Sequence, residues 1–314
     1  MMSFALLLWA QAINGPTITP DTTVSQWTKI EISQLAELDD DVRRNNNQPG
    51  FFDGIEVREI RFTENGFAWH LLRYKRTDEK AGPLWLVPHD DENAAFDAMI
   101  AALRERGGVG IAVNSGPHSL RMQSGSGICG VRFGVRPTCD PNRNFAPQTP
   151  KFTTAILDQR LAGQPIIALH TNSLGFTGDG HGGRGDITIV DKAAYRQGVT
   201  SPRADGLLAV SPTESMANFD TLSLTAYLAQ DGRPSLAAQE CGRKIANSGV
   251  HFWHERVAKS DGSMSNYLIL HRPDIAYYNA ESRAEIDLGV AAARHKIMID
   301  AYLLNCALGD KPAP

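Results

Sequence analysis

Two short apolar runs, Leu84-Trp85-Leu86-Val87 and Val109-Gly110-Ile111-Ala112-Val113, flank a segment in which Ala95, Phe96, Met99, Ile100 and Leu103 recur at helical spacing up to Gly107-Gly108. A buried strand, an amphipathic helix and a second buried strand in succession need a crossover connection, which constrains the chain to a sheet with helices packed on it. The alternation continues through a helix at 151–162, a strand at Ile166–His170, strands at 187–190 and 206–210, and a helix near 234–247. Strands at 248–253, 266–270 and 275–279 and a long final helix at 283–305 complete the reading. The expected fold class is α/β, a mixed, largely parallel sheet with helices on both faces. No repeat of 20 to 50 residues is present, which excludes solenoids and propellers.

Ahead of this pattern, Ile55–Phe62 and Phe67–Tyr74 alternate apolar and polar residues around Glu64-Asn65-Gly66, the signature of a β-hairpin. Residues 13–53 read as a polar N-terminal extension, and 54–308 as one domain. Phe4–Ala10 is apolar, and Ala10-Gln11-Ala12 has the small-x-small form of an export cleavage site, so residues 1–12 read as a signal peptide. The first positive charge is Lys29. Without a basic leader, the alternatives are a start further upstream or an apolar arm packed on the domain. The run is too short to span a membrane, which takes about 20 apolar residues. Across 314 residues the formal charge is -4 and no Lys/Arg run occurs, which argues against a nucleic-acid partner.

Of the four cysteines, Cys129 and Cys139 lie close enough in a glycine-rich stretch to close a loop disulfide in an oxidising compartment, whereas Cys241 and Cys306 read as buried thiols in helices. The absence of Cys-x-x-Cys excludes a zinc ribbon or a thioredoxin-type pair.

The chemistry concentrates at strand ends. In Val87-Pro88-His89-Asp90-Asp91-Glu92 a histidine follows a strand and a carboxylate opens the next helix, a pair that can hold zinc and leaves a third ligand to be found. The plainer reading is a loop histidine followed by an acidic helix start that satisfies the helix dipole. His170 closes another apolar run, either as that third ligand or as a core histidine. Between them lies Asp140-Pro141-Asn142-Arg143-Asn144-Phe145.

His-x-x-Glu, Asp-Pro-Asn-Arg-x-Phe, a strand-end histidine and a C-terminal Asn-x-Glu, in this order over residues 82 to 305, resemble the zinc carboxypeptidase superfamily, which includes the aspartoacylase and succinylglutamate desuccinylase branch. The resemblance implies Zn2+ held by His89, Glu92 and His170. It also implies a substrate carboxylate bound by Asn142 and Arg143, because a guanidinium meets a carboxylate in a two-point fork. Glu281 would be the catalytic carboxylate, preferred over Glu285 because the family's glutamate directly follows the strand. The helix after it is expected to bury Ile286, Val290, Ile297 and Tyr302. Arg121 is the choice for a second, carbonyl-polarising arginine, with Arg132 and Arg136 also near in sequence.

The implied activity is zinc-dependent hydrolysis of an amide near a free carboxylate, as in a metallocarboxypeptidase, with a peptide or acyl-amino-acid partner. If the chain is exported to the periplasm or secreted, cell-wall stem peptides are the economical substrate. The gap from Glu92 to His170 is shorter than in the large digestive carboxypeptidases and closer to the desuccinylase branch, so a zinc N-acyl deacylase is the alternative. The glycine-rich Gly175–Gly185 matches no family residue and reads as a lid or a surface turn. His89-Asp90-Asp91-Glu92 with His251-x-x-His254 also resembles zinc N-acetylglucosaminyl deacetylases, but that reading leaves Asp140–Phe145 and Glu281 unexplained. A non-catalytic zinc or peptide binder is the hypothesis from another class.

Overall fold

The computed structural model describes residues 26–114, 140–172, 220–231, 234–257 and 259–306. The sequence-predicted strands at 187–190 and 206–210, Arg121, the Cys129–Cys139 pair and the 175–185 loop lie outside these residues.

The strands are β1 (Thr28–Lys29), β2 (Ile55–Glu64), β3 (Phe67–Arg76), β4 (Leu84–Val87), β5 (Val109–Val113), β6 (Ile166–Asn172), β7 (Thr221–Leu228), β8 (His251–Val257) and β9 (Tyr277–Arg283). They form one sheet in the order β1-β2-β3-β5-β4-β6-β9-β7-β8. Its centre, β5-β4-β6-β9, is parallel; β1, β2 and β3 flank it antiparallel, and β7, antiparallel to β9, carries β8 parallel to itself. The β2–β3 turn holds Asn65 and Gly66 at φ 51° and 78°, the paired positive values that suit a tight hairpin.

Helices cover both faces. On one lie α1 (Ile32–Leu35), α2 (Asp40–Asn45), α3 (Asn93–Arg106), α5 (Leu236–Asn247) and α7 (Leu288–Asn305), around a core that includes Trp85, Phe96, Leu169, Phe252, Tyr278 and Met298. On the other, α4 (Pro150–Leu157) and α6 (Met264–His271) enclose Leu86, Ile111, Phe145, Phe152, Ala168 and Leu268. The Glu64 carboxylate accepts hydrogen bonds from the Lys151 and Phe152 amides, so the hairpin end caps α4.

The segment expected to be a polar extension joins this framework. β1 pairs with β2, Leu35 and Val42 are fully buried, and Arg44 donates to both carboxylate oxygens of Asp97 on α3 at 2.8 Å. Four other local expectations are corrected. Residues 266–270, read as a strand, are helical, because the Ser263 side chain caps α6 by accepting from the Asn266 amide. Ser282 and Arg283 end β9 rather than open a helix, which starts at Leu288. Of the expected buried stripe only Tyr302 is buried; Ile286, Val290 and Ile297 are exposed, and the inward face is Ala291, His295, Met298, Ile299 and Tyr302. Cys241 and Cys306 are joined in a disulfide between α5 and the end of α7.

Candidate metal centre

The sheet changes its winding direction at β4. The chain leaves β4 through α3 to β5 on one side, then crosses to β6 on the other, which opens a crevice at the carboxyl ends of β4 and β6. His89 sits in the loop leaving β4, Glu92 at the N-cap of α3, and His170 inside β6. The turn between His89 and Glu92 is fixed by the Glu92 amide donating to the His89 carbonyl at 3.2 Å.

These three side chains converge. His89 Nδ1 is 2.8 Å from Glu92 Oε1 and 3.3 Å from His170 Nδ1, and His170 Nδ1 is 3.4 Å from Glu92 Oε2. Tetrahedral zinc with bonds near 2.0–2.1 Å separates its ligand atoms by roughly 3.3–3.4 Å, so the cluster needs little adjustment to enclose such an ion. Among the described residues it is the sole group of three or more metal-ligating side chains this close together. His170 Nε2 is buried and has no hydrogen-bond partner among the described residues.

The local field calls for a cation. Burial pushes the His89 imidazole down, but the Glu92 and Asp140 carboxylates outweigh it and hold its pKa near 10. Burial likewise raises Glu92, yet the two histidines bring it well below the usual carboxylate range. A proton on His89 balances charge that a divalent ion would balance more fully.

Asp140, to which the sequence reading assigned no role, organises the next layer. Its Oδ1 lies 2.8 Å from His89 Nε2 and accepts from the Asn142 amide at 2.8 Å, capping the one-turn 3-10 helix Pro141–Arg143. A carboxylate on the far nitrogen fixes the ring orientation of a metal-binding histidine and leaves Nδ1 for the ion. The signal was in the sequence, since Asp140 begins the same motif as Asn142 and Arg143.

Arg143 is largely buried, with its Nε 3.5 Å from Asp261 Oδ2. The Asp261 loop approaches because Gly262, at φ +89°, packs against the Arg143 backbone where a Cβ would collide, and its carbonyl accepts from the Phe145 amide at 2.8 Å. Asn142 Oδ1 is buried with no partner among the described residues.

Glu281 lies on β9, in register with His170 on β6. It is 5% exposed, and Asn279 Nδ2 donates to its Oε1 at 2.9 Å. Burial pushes its carboxyl above the ordinary range and the Glu92 charge adds to this, against opposing effects of His170 and Asn279. Glu285 is instead an ion-pair partner of Arg283 and Arg294. His251 and His254 stand on β8, separated from β6 by β9 and β7, and His254 packs with Thr225 rather than joining the cluster.

No protein-family model matches the sequence, and no curated protein matches it. Among solved structures, the chain is similar to a metallo-carboxypeptidase from Burkholderia cenocepacia, with 12% identity over 84% of this chain and 68% of that one and a TM-score of 0.43. It is also similar to an aspartoacylase family protein from Mesorhizobium loti, with 11% identity over 82% of this chain and 69% of that one and a TM-score of 0.41. Both likenesses are distant, and what defines the site is the convergence of His89, Glu92 and His170 at the carboxyl ends of two adjacent parallel strands.

Proposed function

We propose that the protein is a zinc-dependent hydrolase of the zinc carboxypeptidase superfamily that cleaves an amide bond near a free carboxylate. The observation that carries this reading is the His89–Glu92–His170 cluster with Glu281 in register beside it. When bound, the metal supplies Lewis acidity that polarises a carbonyl and lowers the pKa of water toward 7.

The chain's own residues divide the remaining work. Glu281 takes a proton from the attacking water and delivers it to the leaving amine, a role suited to a carboxyl whose pKa burial has raised. Asn279 holds the oxygen of Glu281 that it contacts, leaving the other for the water. Arg143 binds the terminal carboxylate, with Asp261 setting the guanidinium orientation, so binding energy distant from the scissile bond becomes orientation at the reacting carbon. The Cys241–Cys306 disulfide supports an oxidising compartment, where stem peptides of the cell wall are the proposed substrates. Among the described residues no helix is long and apolar enough to cross a membrane.

The test uses peptides and N-acyl amino acids bearing a free carboxylate. The purified protein should hold about one zinc per chain, as a three-ligand site does. His89→Ala and His170→Ala should lose it, while Glu281→Gln should keep the metal and lose turnover. Zinc retained by both histidine variants removes the ligand assignment. Substrate binding without hydrolysis in the unsubstituted protein, as in Glu281→Gln, identifies a binding protein instead. Preference for N-acyl amino acids over peptides identifies a deacylase.

A further inference from the structure

We propose that His295 is a positioning residue for the metal centre, holding the end of β6, and with it the His170 imidazole, through the His170 main-chain carbonyl. This inference rests on the reading of His89, Glu92 and His170 as metal ligands.

His295 is fully buried on the inward face of α7, whose other buried members are Ala291, Met298, Ile299, Ala301 and Tyr302. A buried imidazole in such a row costs free energy unless it is hydrogen-bonded. Its Nε2 lies 2.8 Å from the His170 carbonyl oxygen, 125 residues away in the chain. The other ring nitrogen, Nδ1, is 3.1 Å from the Ala291 carbonyl oxygen within the same helix. Both ring nitrogens face carbonyl oxygens, which only accept, and a neutral imidazole carries one N–H; the shorter contact, together with the Ser282 hydroxyl that already donates to the Ala291 carbonyl, assigns it to Nε2.

The anchor matters because of where β6 loses support. Its pairing with β4 ends at Leu86↔Ala168, whereas its pairing with β9 continues through His170 to Asn172. Among the described residues, the ligand therefore sits on a stretch held by one neighbouring strand. His295 adds a second attachment at that residue from a helix that is itself fixed. Tyr302 stacks on Tyr278 with ring centroids 4.1 Å apart, the Tyr278 hydroxyl donates to the Met298 carbonyl at 3.1 Å, and the Ser282 hydroxyl donates to the Ala291 carbonyl at 3.2 Å. Through β9, the same helix supports the strand of Glu281. α7 thus couples the metal ligand and the catalytic carboxylate, and a small loosening at His295 would be read at the ion.

The experiment compares zinc affinity, by competition with a chelator, in the unsubstituted protein, His295→Leu and His295→Gln, alongside thermal unfolding of each metal-free form. His295→Leu should bind zinc ten- to a hundredfold more weakly, the range for removing a partner of a metal ligand. His295→Gln, which keeps an N–H donor, should recover most of that loss whatever its own melting temperature. Should His295→Leu fail to fold, His295→Asn, whose amide falls short of the carbonyl, should show the same loss. Zinc affinity within twofold of the unsubstituted protein in the donor-lacking variant, or an equal loss in His295→Gln, overturns the proposal. Failure of the unsubstituted protein to bind zinc overturns the metal-centre reading and this inference with it; tight binding indifferent to residue 295 overturns this inference alone.

Discussion

His89 and Asp140, 51 residues apart in sequence, meet with Nε2 and Oδ1 2.8 Å apart, and the same carboxylate oxygen caps the short helix that carries Arg143. One side chain therefore connects the orientation of a proposed metal ligand to the placement of the proposed substrate clamp. Asp140→Ala should weaken zinc binding by about ten- to a hundredfold, as expected for loss of the carboxylate behind a ligating imidazole, and should also raise KM. Asp140→Asn, which keeps an acceptor but no charge, should fall between. Chelator competition that finds Asp140→Ala unchanged would remove this carboxylate from the metal centre.

The parts of this site that were legible in sequence are those where one residue type has one geometric meaning. Leu84–Val87 is a strand with the bounds expected, Asn65-Gly66 turns the hairpin, and His89, Glu92, His170 and Glu281 sit at or near strand ends where the crevice forms. What failed depended on packing between distant segments. The run Asn266–Leu270 is short and apolar enough for either strand or helix, and the Ser263 cap decides it. The expected stripe Ile286, Val290, Ile297 has helical spacing, but Ile286 precedes α7 and the sheet receives the face of α7 that carries His295 and Met298 instead. Pairing of Cys241 with Cys306 follows from the contact of α5 with α7, which no spacing reveals.

That disulfide should contribute to the stability of the fold. It closes a loop across 65 residues of sequence and joins two helices on one face of the sheet. In the chain-entropy account, a cross-link of this span stabilises the fold by about 4 kcal/mol. The variant with both Cys241→Ala and Cys306→Ala should unfold at correspondingly lower guanidinium concentration, with little change in zinc affinity because neither cysteine is a ligand. An unchanged midpoint would show that the bond adds nothing to stability.

Arg143 yields a prediction about substrate. Lysine keeps the charge and loses the planar fork, so Arg143→Lys isolates geometry from attraction. With about 1.5 to 3 kcal/mol for a hydrogen bond to a charged group, kcat/KM for a substrate with a free terminal carboxylate should fall about ten- to a hundredfold. The same substrate amidated at that end should start poor and lose little more. Asp261→Asn should produce a weaker form of the same pattern, since it releases the guanidinium from the ion pair that orients it. An equal fall on both substrates would show that Arg143 supports the fold or polarises the scissile carbonyl.

Acid stability should depend on a histidine away from the site. His254 is 3% exposed on β8, with Nδ1 3.0 Å from the Thr225 hydroxyl oxygen and its ring 4.8 Å from that of Phe252. Gly242 on α5 lies so close that a Cβ there would meet both Phe252 and His254, so the helix packs directly against the ring. Burial pushes its pKa from 6.5 down to about 4. In the window between those values the unfolded chain binds a proton that the folded chain refuses, so stability rises with pH across it. The contribution is complete above pH 6.5 and is lost as pH falls toward 4, amounting to about 3 kcal/mol at most. Urea unfolding of the metal-free protein between pH 4 and 8 should therefore show a steeper acid loss in the unsubstituted chain than in His254→Phe. The two curves should differ by up to one proton per molecule through the middle of the window. Parallel curves would mean that His254 accepts its proton in the folded state at an ordinary pH, and that burial between α5 and β8 does not control it.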